Sequence, residues 1–175
     1  MTIDRLYDYT SFSDDRLKNI LTSWDGLGGY HGLLIKKVSE LIPPESSILD
    51  VGCGLCHLFE ALKSKNVRYT GLEYDTRIVE WARERYPTLK ILHGSMYNLS
   101  NLGMFNCVTA IGVYSGEPES PSGVIEMLRH TDKKLILTYF KKNPTPTFLN
   151  NIKYRETNTI LHNIDTRLEI REIHV

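Results

Sequence analysis

The 175-residue chain has only three cysteines, and two of them, Cys53 and Cys56, stand too close in sequence to staple a domain. A disulfide framework is therefore excluded, and a reducing, cytoplasmic compartment is expected. Neither sign of charge dominates: Lys plus Arg and Asp plus Glu each number 21, for a formal net charge of zero. That balance argues against a dedicated nucleic-acid binder, which is held by phosphate neutralisation. With 41% hydrophobic residues it also argues against disorder. No apolar run approaches the roughly 18 residues of a membrane span. Met1 to Thr10 is polar, contains Asp4 and Asp8, and has no apolar h-region, so no signal peptide is expected. There is no internal repeat, low-complexity run or Gly/Ser linker. A single domain over residues 1–175 is expected, with an N-terminal helical cover (1–43) on a core (44–175).

What is present alternates between the two periods of regular structure. Ser13 is placed to cap a helix with Leu17, Ile20, Leu21 and Trp24 on one face. A second helix is expected from about His31 to the stop at Pro43-Pro44. Ser47–Val51, Val67–Glu73, Leu89–His93, Phe105–Val113 and Leu135–Phe140 read as strands. Helices around Leu55–Leu62, Ile78–Tyr86 and Val124–Leu128 lie between them. Tyr97 to Met104 offers at most one helical turn. After Pro144 and Pro146 a short helix near Phe148–Ile152 is expected, followed by two strands, Thr157–Ile164 and Arg167–Val175, close enough to form a hairpin. The order predicts a doubly wound α/β sheet, mostly parallel, with helices on both faces and a C-terminal antiparallel hairpin.

The most informative segment is Asp50-Val51-Gly52-Cys53-Gly54-Leu55-Cys56-His57, which follows a strand and opens a helix. Glycines there let the chain turn tightly and let a ligand approach the main chain, and a helix N-terminus offers N–H groups and a positive dipole end. Glu73 ends the next strand about twenty residues on, where an acid accepts hydrogen bonds from both hydroxyls of a ribose. A dinucleotide site asks for GxGxxG, and here the last position is His57. The same string spells C-x-x-C-H, a haem-attachment signature, and CxxC, a redox motif. Those readings leave Asp50, Gly52, Gly54 and Glu73 without a role. A zinc site from Cys53, Cys56, His57 and Cys107 lacks a second close ligand pair, and no metal is expected.

Asp50-Val51-Gly52-Cys53-Gly54 resembles the first motif of the class I S-adenosylmethionine-dependent methyltransferases. Gly71-Leu72-Glu73-Tyr74-Asp75 resembles their second motif, His93-Gly94-Ser95-Met96 the third, and Phe105 to Tyr114 the fourth. The resemblance runs from about Leu33 to Val175. It implies a Rossmann-like seven-stranded sheet of order 3-2-1-4-5-7-6 and S-adenosylmethionine as cofactor, with S-adenosylhomocysteine as product. It places Asp50, Gly52, Cys53 and Gly54 at the methionine part, Glu73 on the ribose, Tyr74, Ser95 and Met96 around the adenine, and Ile111 beside the cofactor. The chain departs from the family pattern where Cys56 replaces a third glycine, Ser95 an acid near the adenine, and Asn106 an acid at the start of strand four.

Methyl transfer from a sulfonium is an in-line displacement, so the protein chiefly positions and desolvates, and a base is needed only where the acceptor holds a proton. The loop after strand four, Gly112 to Glu119, lacks the N-P-P-Y or D-P-P-Y string that resembling enzymes use on nucleobases. A small-molecule acceptor is expected, with Tyr114, Glu117 and Glu119 as candidate contacts. Trp24 to His31 is the expected cover, with Tyr30 near the sulfonium and His31 as the candidate base. Trp24 reads as core, and His57, His93, His130, His162 and His174 show no ligand spacing. Lys and Arg outnumber acids from Arg129 to Arg155, which leaves nucleic acid as a minor option. A non-catalytic cofactor-binding module of the same fold and a nicotinamide oxidoreductase remain as alternatives.

Overall fold

A computed structural model describes residues 9–114 and 122–139. Five strands form one parallel sheet of order β3-β2-β1-β4-β5: β1 (Ser47–Val51), β2 (Arg68–Glu73), β3 (Lys90–His93), β4 (Phe105–Tyr114) and β5 (Thr131–Tyr139). The order reverses between β1 and β4, the switch point at which open α/β sheets bind ligands beyond their carboxyl ends. The hairpin, the two further strands and the short helix expected after Pro144 lie outside the described residues.

Alternate residues of the strands supply two cores. Ile48, Tyr69, Ile91 and Cys107 face Ile35 and Val38 of α2 (Gly29–Leu41), Leu58 and Leu62 of α3 (His57–Leu62), and Val79 and Ala82 of α4 (Thr76–Arg85). Leu49, Val51, Leu72, Val108 and Ala110 face Val124, Met127 and Leu128 of α5 (Ser122–Arg129). Helices therefore cover both faces. A third cluster joins Leu17 and Leu21 of α1 (Asp14–Thr22) to Leu55 and to Ile78 of α4.

The capping chemistry follows the sequence. Ser13 Oγ accepts from Arg16 N and opens α1, and Asp75 Oδ1 accepts from Arg77 N and opens α4. The Arg77 guanidinium then donates to Asp75, Asp14 and the carbonyls of Tyr9 and Phe12, tying the N-terminal segment to α4.

Three expectations are corrected. Trp24 does not complete α1: the helix ends at Thr22, and a short 3-10 turn (Asp25–Leu27) follows, with Gly26 at φ +76°. The second helix opens at Gly29 rather than His31, because Gly28 is extended and serves as its N-cap. Strand β5 starts at Thr131, not Leu135, because polar pairs extend it. Thr131 Oγ1 donates to the Met127 carbonyl, and Asp132 accepts from Asn106 Nδ2 at 3.2 Å. Asn106 Oδ1 also accepts from Ser47 N and Oγ, so this side chain joins the amino ends of β1, β4 and β5.

Candidate active site

The bend between β1 and α3 lies at the switch point. Gly52 has φ +68°, and a Cβ there would collide with Val113 Cγ2; Gly54 has φ +52°. Cys56, where the family pattern has a third glycine, also adopts the left-handed conformation, at φ 60° and ψ 38°. The glycine preference at that position thus reflects backbone conformation as well as space, and this chain carries the strain, on the order of 1–2 kcal/mol, on a small side chain.

The bend was expected to offer N–H donors; instead they are engaged by β2. Gly52 N and Cys53 N both donate to the Leu72 carbonyl, at 2.7 and 3.1 Å, and Gly54 N donates to Glu73 Oε2 at 3.1 Å. Glu73 Oε1 accepts from Tyr74 N and Asp75 N. Burial raises the pKa of Glu73 and these three main-chain donors oppose the rise. Helix α3 has only six residues, so the expected helix-end field is short.

A cleft opens beside the bend, lined by Asp50, Gly52, Cys53, Gly54, His57 and Leu58 together with Trp24, His31, Ile35 and Ile111. The fold thus gathers Asp50, Gly52, Cys53, Gly54, Ile111 and His31 of the expected site. Glu73 reaches the bend but not the cleft lining. Tyr74 is exposed, with its ring 6.5 Å from His93. Ser95 Oγ accepts from Tyr97 N, and Met96 packs in the α5-side core. Tyr30 lies in α2 and Tyr114 ends β4, but their side chains are outside the described set, and so is Glu117.

Asp50 lines the cleft and is buried. Its oxygens accept from Tyr69 Oη at 2.6 Å and Thr109 Oγ1 at 2.7 Å. Burial lifts its pKa to about 6 against the pull of those two hydroxyls. His31 stacks on Trp24, ring centroids 4.0 Å apart. Burial and the neighbouring His57 push its pKa down to about 4, so it is neutral at pH 7 and a weak base. Cys53 and Cys56 are buried free thiols; the adjoining Cys56 thiol, burial and the nearby carboxylates push the Cys53 pKa well up. A disulfide-exchange thiol needs the opposite environment. Among the described residues no cluster of three or more metal-ligating side chains occurs.

The sequence reading placed Trp24 and Asp25 in the cover without a role of their own, and gave His57 none. Nε2 of His57 lies 3.0 Å from Asp25 Oδ1, and Arg85 Nη1 donates to the same oxygen at 2.6 Å. The three sit on the 3-10 turn, α3 and α4, far apart in sequence. The break of α1 before Trp24 and the Asp-Gly pair after it were the available local signal.

Residues 48–134 match the family described as Methyltransferase domain. Those residues carry a methyltransferase domain, and the chain has the fold of the class I, Rossmann-like methyltransferases. No curated protein matches it in sequence. Among solved structures, DesVI of Streptomyces venezuelae is similar with a TM-score of 0.58 at 17% identity, over 81% of this chain and 62% of that one. CalS10, an amino pentose methyltransferase from Micromonospora echinaspora solved with S-adenosylmethionine bound, gives 0.55 at 18%, over 77% and 59%. The sugar N-methyltransferase KedS8 of a Streptoalloteichus species gives 0.54 at 16%, over 83% and 62%. At these identities the likeness is one of fold, and the chain spans about three fifths of the length of each.

Proposed function

We propose that this chain binds S-adenosylmethionine beside the Gly52–Gly54 bend and transfers its methyl group to a small-molecule acceptor, leaving S-adenosylhomocysteine. The observation that carries the proposal is the bend itself. It stands at the switch point, lines the cleft through Gly52, Cys53 and Gly54, and is tied to the carboxylate of Glu73 one strand over.

In this reading Asp50, Gly52, Cys53, Gly54 and Ile111 flank the amino-acid and sulfonium part of the cofactor. Glu73 takes the ribose, and Tyr74, Ser95 and Met96 mark the adenine side. Residues 1–43 serve as the cover, with Tyr30 and His31 on it, and Tyr114 and Glu117 meet the acceptor. When bound, the cofactor supplies a methyl already activated by its positive sulfur. The chain contributes orientation and exclusion of water. His31 acts as a wall rather than a base, because its stacked, half-buried ring holds a proton only in acid. The small-molecule acceptor draws support from the amino pentose and sugar methyltransferases of the same fold.

A second reading is a cofactor-binding module without turnover. It is favoured by Glu73 and Ser95, whose acceptor atoms already take main-chain donors. Calorimetric titration with S-adenosylmethionine, S-adenosylhomocysteine and NADH tests both. Binding of the two sulfur nucleosides with transfer to an acceptor panel supports the enzyme. Binding without transfer supports the module, and binding of NADH alone overturns both.

A further inference from the structure

Resting on that cofactor reading, we propose that His57 accepts a hydrogen bond from the ammonium group of the cofactor's amino-acid end, and that Asp25 is the positioning residue that fixes its ring for this. The argument begins with hydrogen-bond supply. The bend's N–H groups at Gly52, Cys53 and Gly54 are spent on Leu72 and Glu73. What these residues leave toward the cleft is weighted to acceptors, and such a wall selects a cation or an N–H donor.

His57 is the polar ring set among them, with its side chain 5% exposed. Asp25 is ionised, because Arg85 and His57 outweigh the upward push of burial on its pKa. A carboxylate only accepts, so His57 Nε2 must carry the hydrogen, and in the neutral ring Nδ1 is then a lone-pair acceptor. Nδ1 has no bonding partner among the described residues. The ring lines the cleft and Asp25 does not. With Nε2 engaged by Asp25, the Nδ1 edge is assigned to the ligand.

The charged and titratable groups around the ring are Asp25 from the 3-10 turn, Arg85 from α4, Glu60 from its own helix and His31 from α2. Arg85 already neutralises Asp25, and with burial dominant the His57 pKa lies below its ordinary value. The ring is therefore in its acceptor form at neutral pH. Trp24 meets it edge-on at 5.9 Å and limits its rotation.

The test compares S-adenosylhomocysteine with 5′-methylthioadenosine, which lacks the amino-acid end, by calorimetry on the whole chain. His57→Leu is expected to lower affinity for the first at least tenfold and to leave the second within twofold. His57→Asn, which restores an acceptor oxygen near Nδ1, should recover most of the loss and guards against misfolding in the leucine variant. Asp25→Asn should cost a smaller factor, again for S-adenosylhomocysteine alone. Equal losses for both ligands would overturn the assignment alone. Failure of the wild-type chain to bind either ligand would overturn the cofactor reading and the assignment with it.

Discussion

Glu73 Oε2 accepts a hydrogen bond from Gly54 N at 3.1 Å, joining the end of β2 to the bend after β1. One carboxylate thus shapes the main chain that lines the cleft. It does so while 9% exposed and bonded to two further N–H groups.

Removing it should act on both fold and ligand. Glu73→Ala is expected to weaken S-adenosylmethionine binding by roughly 1–3 kcal/mol, the scale of a lost charged acceptor. It should also lower the melting temperature, since three main-chain donors lose their partner. Glu73→Gln keeps one acceptor oxygen and should lie between. Calorimetry and thermal denaturation read the two effects separately, and unchanged affinity in a folded alanine variant would count against the ribose assignment.

The two glycines of the bend should respond unequally to the same substitution. Gly52→Ala combines positive φ with a collision at Val113 Cγ2, and should cost about 3 kcal/mol or more. Gly54→Ala meets nothing closer than Leu21 Cδ2 at 3.9 Å, so only the backbone term of about 1–2 kcal/mol applies. Urea denaturation of the two variants checks the order.

Asp50 makes a signed prediction about pH. Its pKa in the folded chain is about 6, against 3.8 as the reference value. The folded state therefore holds the proton more tightly, and stability from this group is full below about pH 4 and lost as pH rises through 6. The change is of order 3 kcal/mol at about 1.4 kcal/mol per pH unit. Asp50→Asn should remove that slope. The difference between wild-type and variant unfolding free energies across pH 4 to 7 measures it, and parallel curves would refute the burial of a titrating carboxyl.

Asn106 stands where the family pattern has an acid, yet its amide donates to Asp132 while its oxygen accepts from Ser47. Asn106→Asp should therefore destabilise the chain by roughly 1–3 kcal/mol, by losing the donor and setting two carboxylates side by side. Cofactor affinity should be unchanged, because the network lies at the amino ends of the strands, opposite the site. Chemical denaturation and ligand titration of the one variant test both halves.

Local chemistry was legible along the chain. Ser13 and Asp75 cap their helices through hydrogen bonds to residues two or three positions on, which sequence spacing specifies. Ser47–Val51 forms β1, because a short run of buried residues between turn signals has few other uses. The resemblance of the glycine, Glu73 and β4 segments implied the order 3-2-1-4-5, since strand order in this fold is tied to those motifs. By contrast, Asp25, His57 and Arg85 meet across sixty residues, and no periodicity or spacing encodes that meeting.

The sequence by itself determined a charge-balanced α/β chain with a glycine bend after its first strand and an acid after its second. These depend on residue type and near-neighbour spacing. Only the tertiary structure decided how the bend's hydrogen bonds are used, that Cys56 takes a left-handed conformation, and that two imidazoles and an indole wall the cleft. Hydrogen-bond partners, burial and proton affinity belong to groups brought together by packing, and packing acts between residues that the chain order keeps apart.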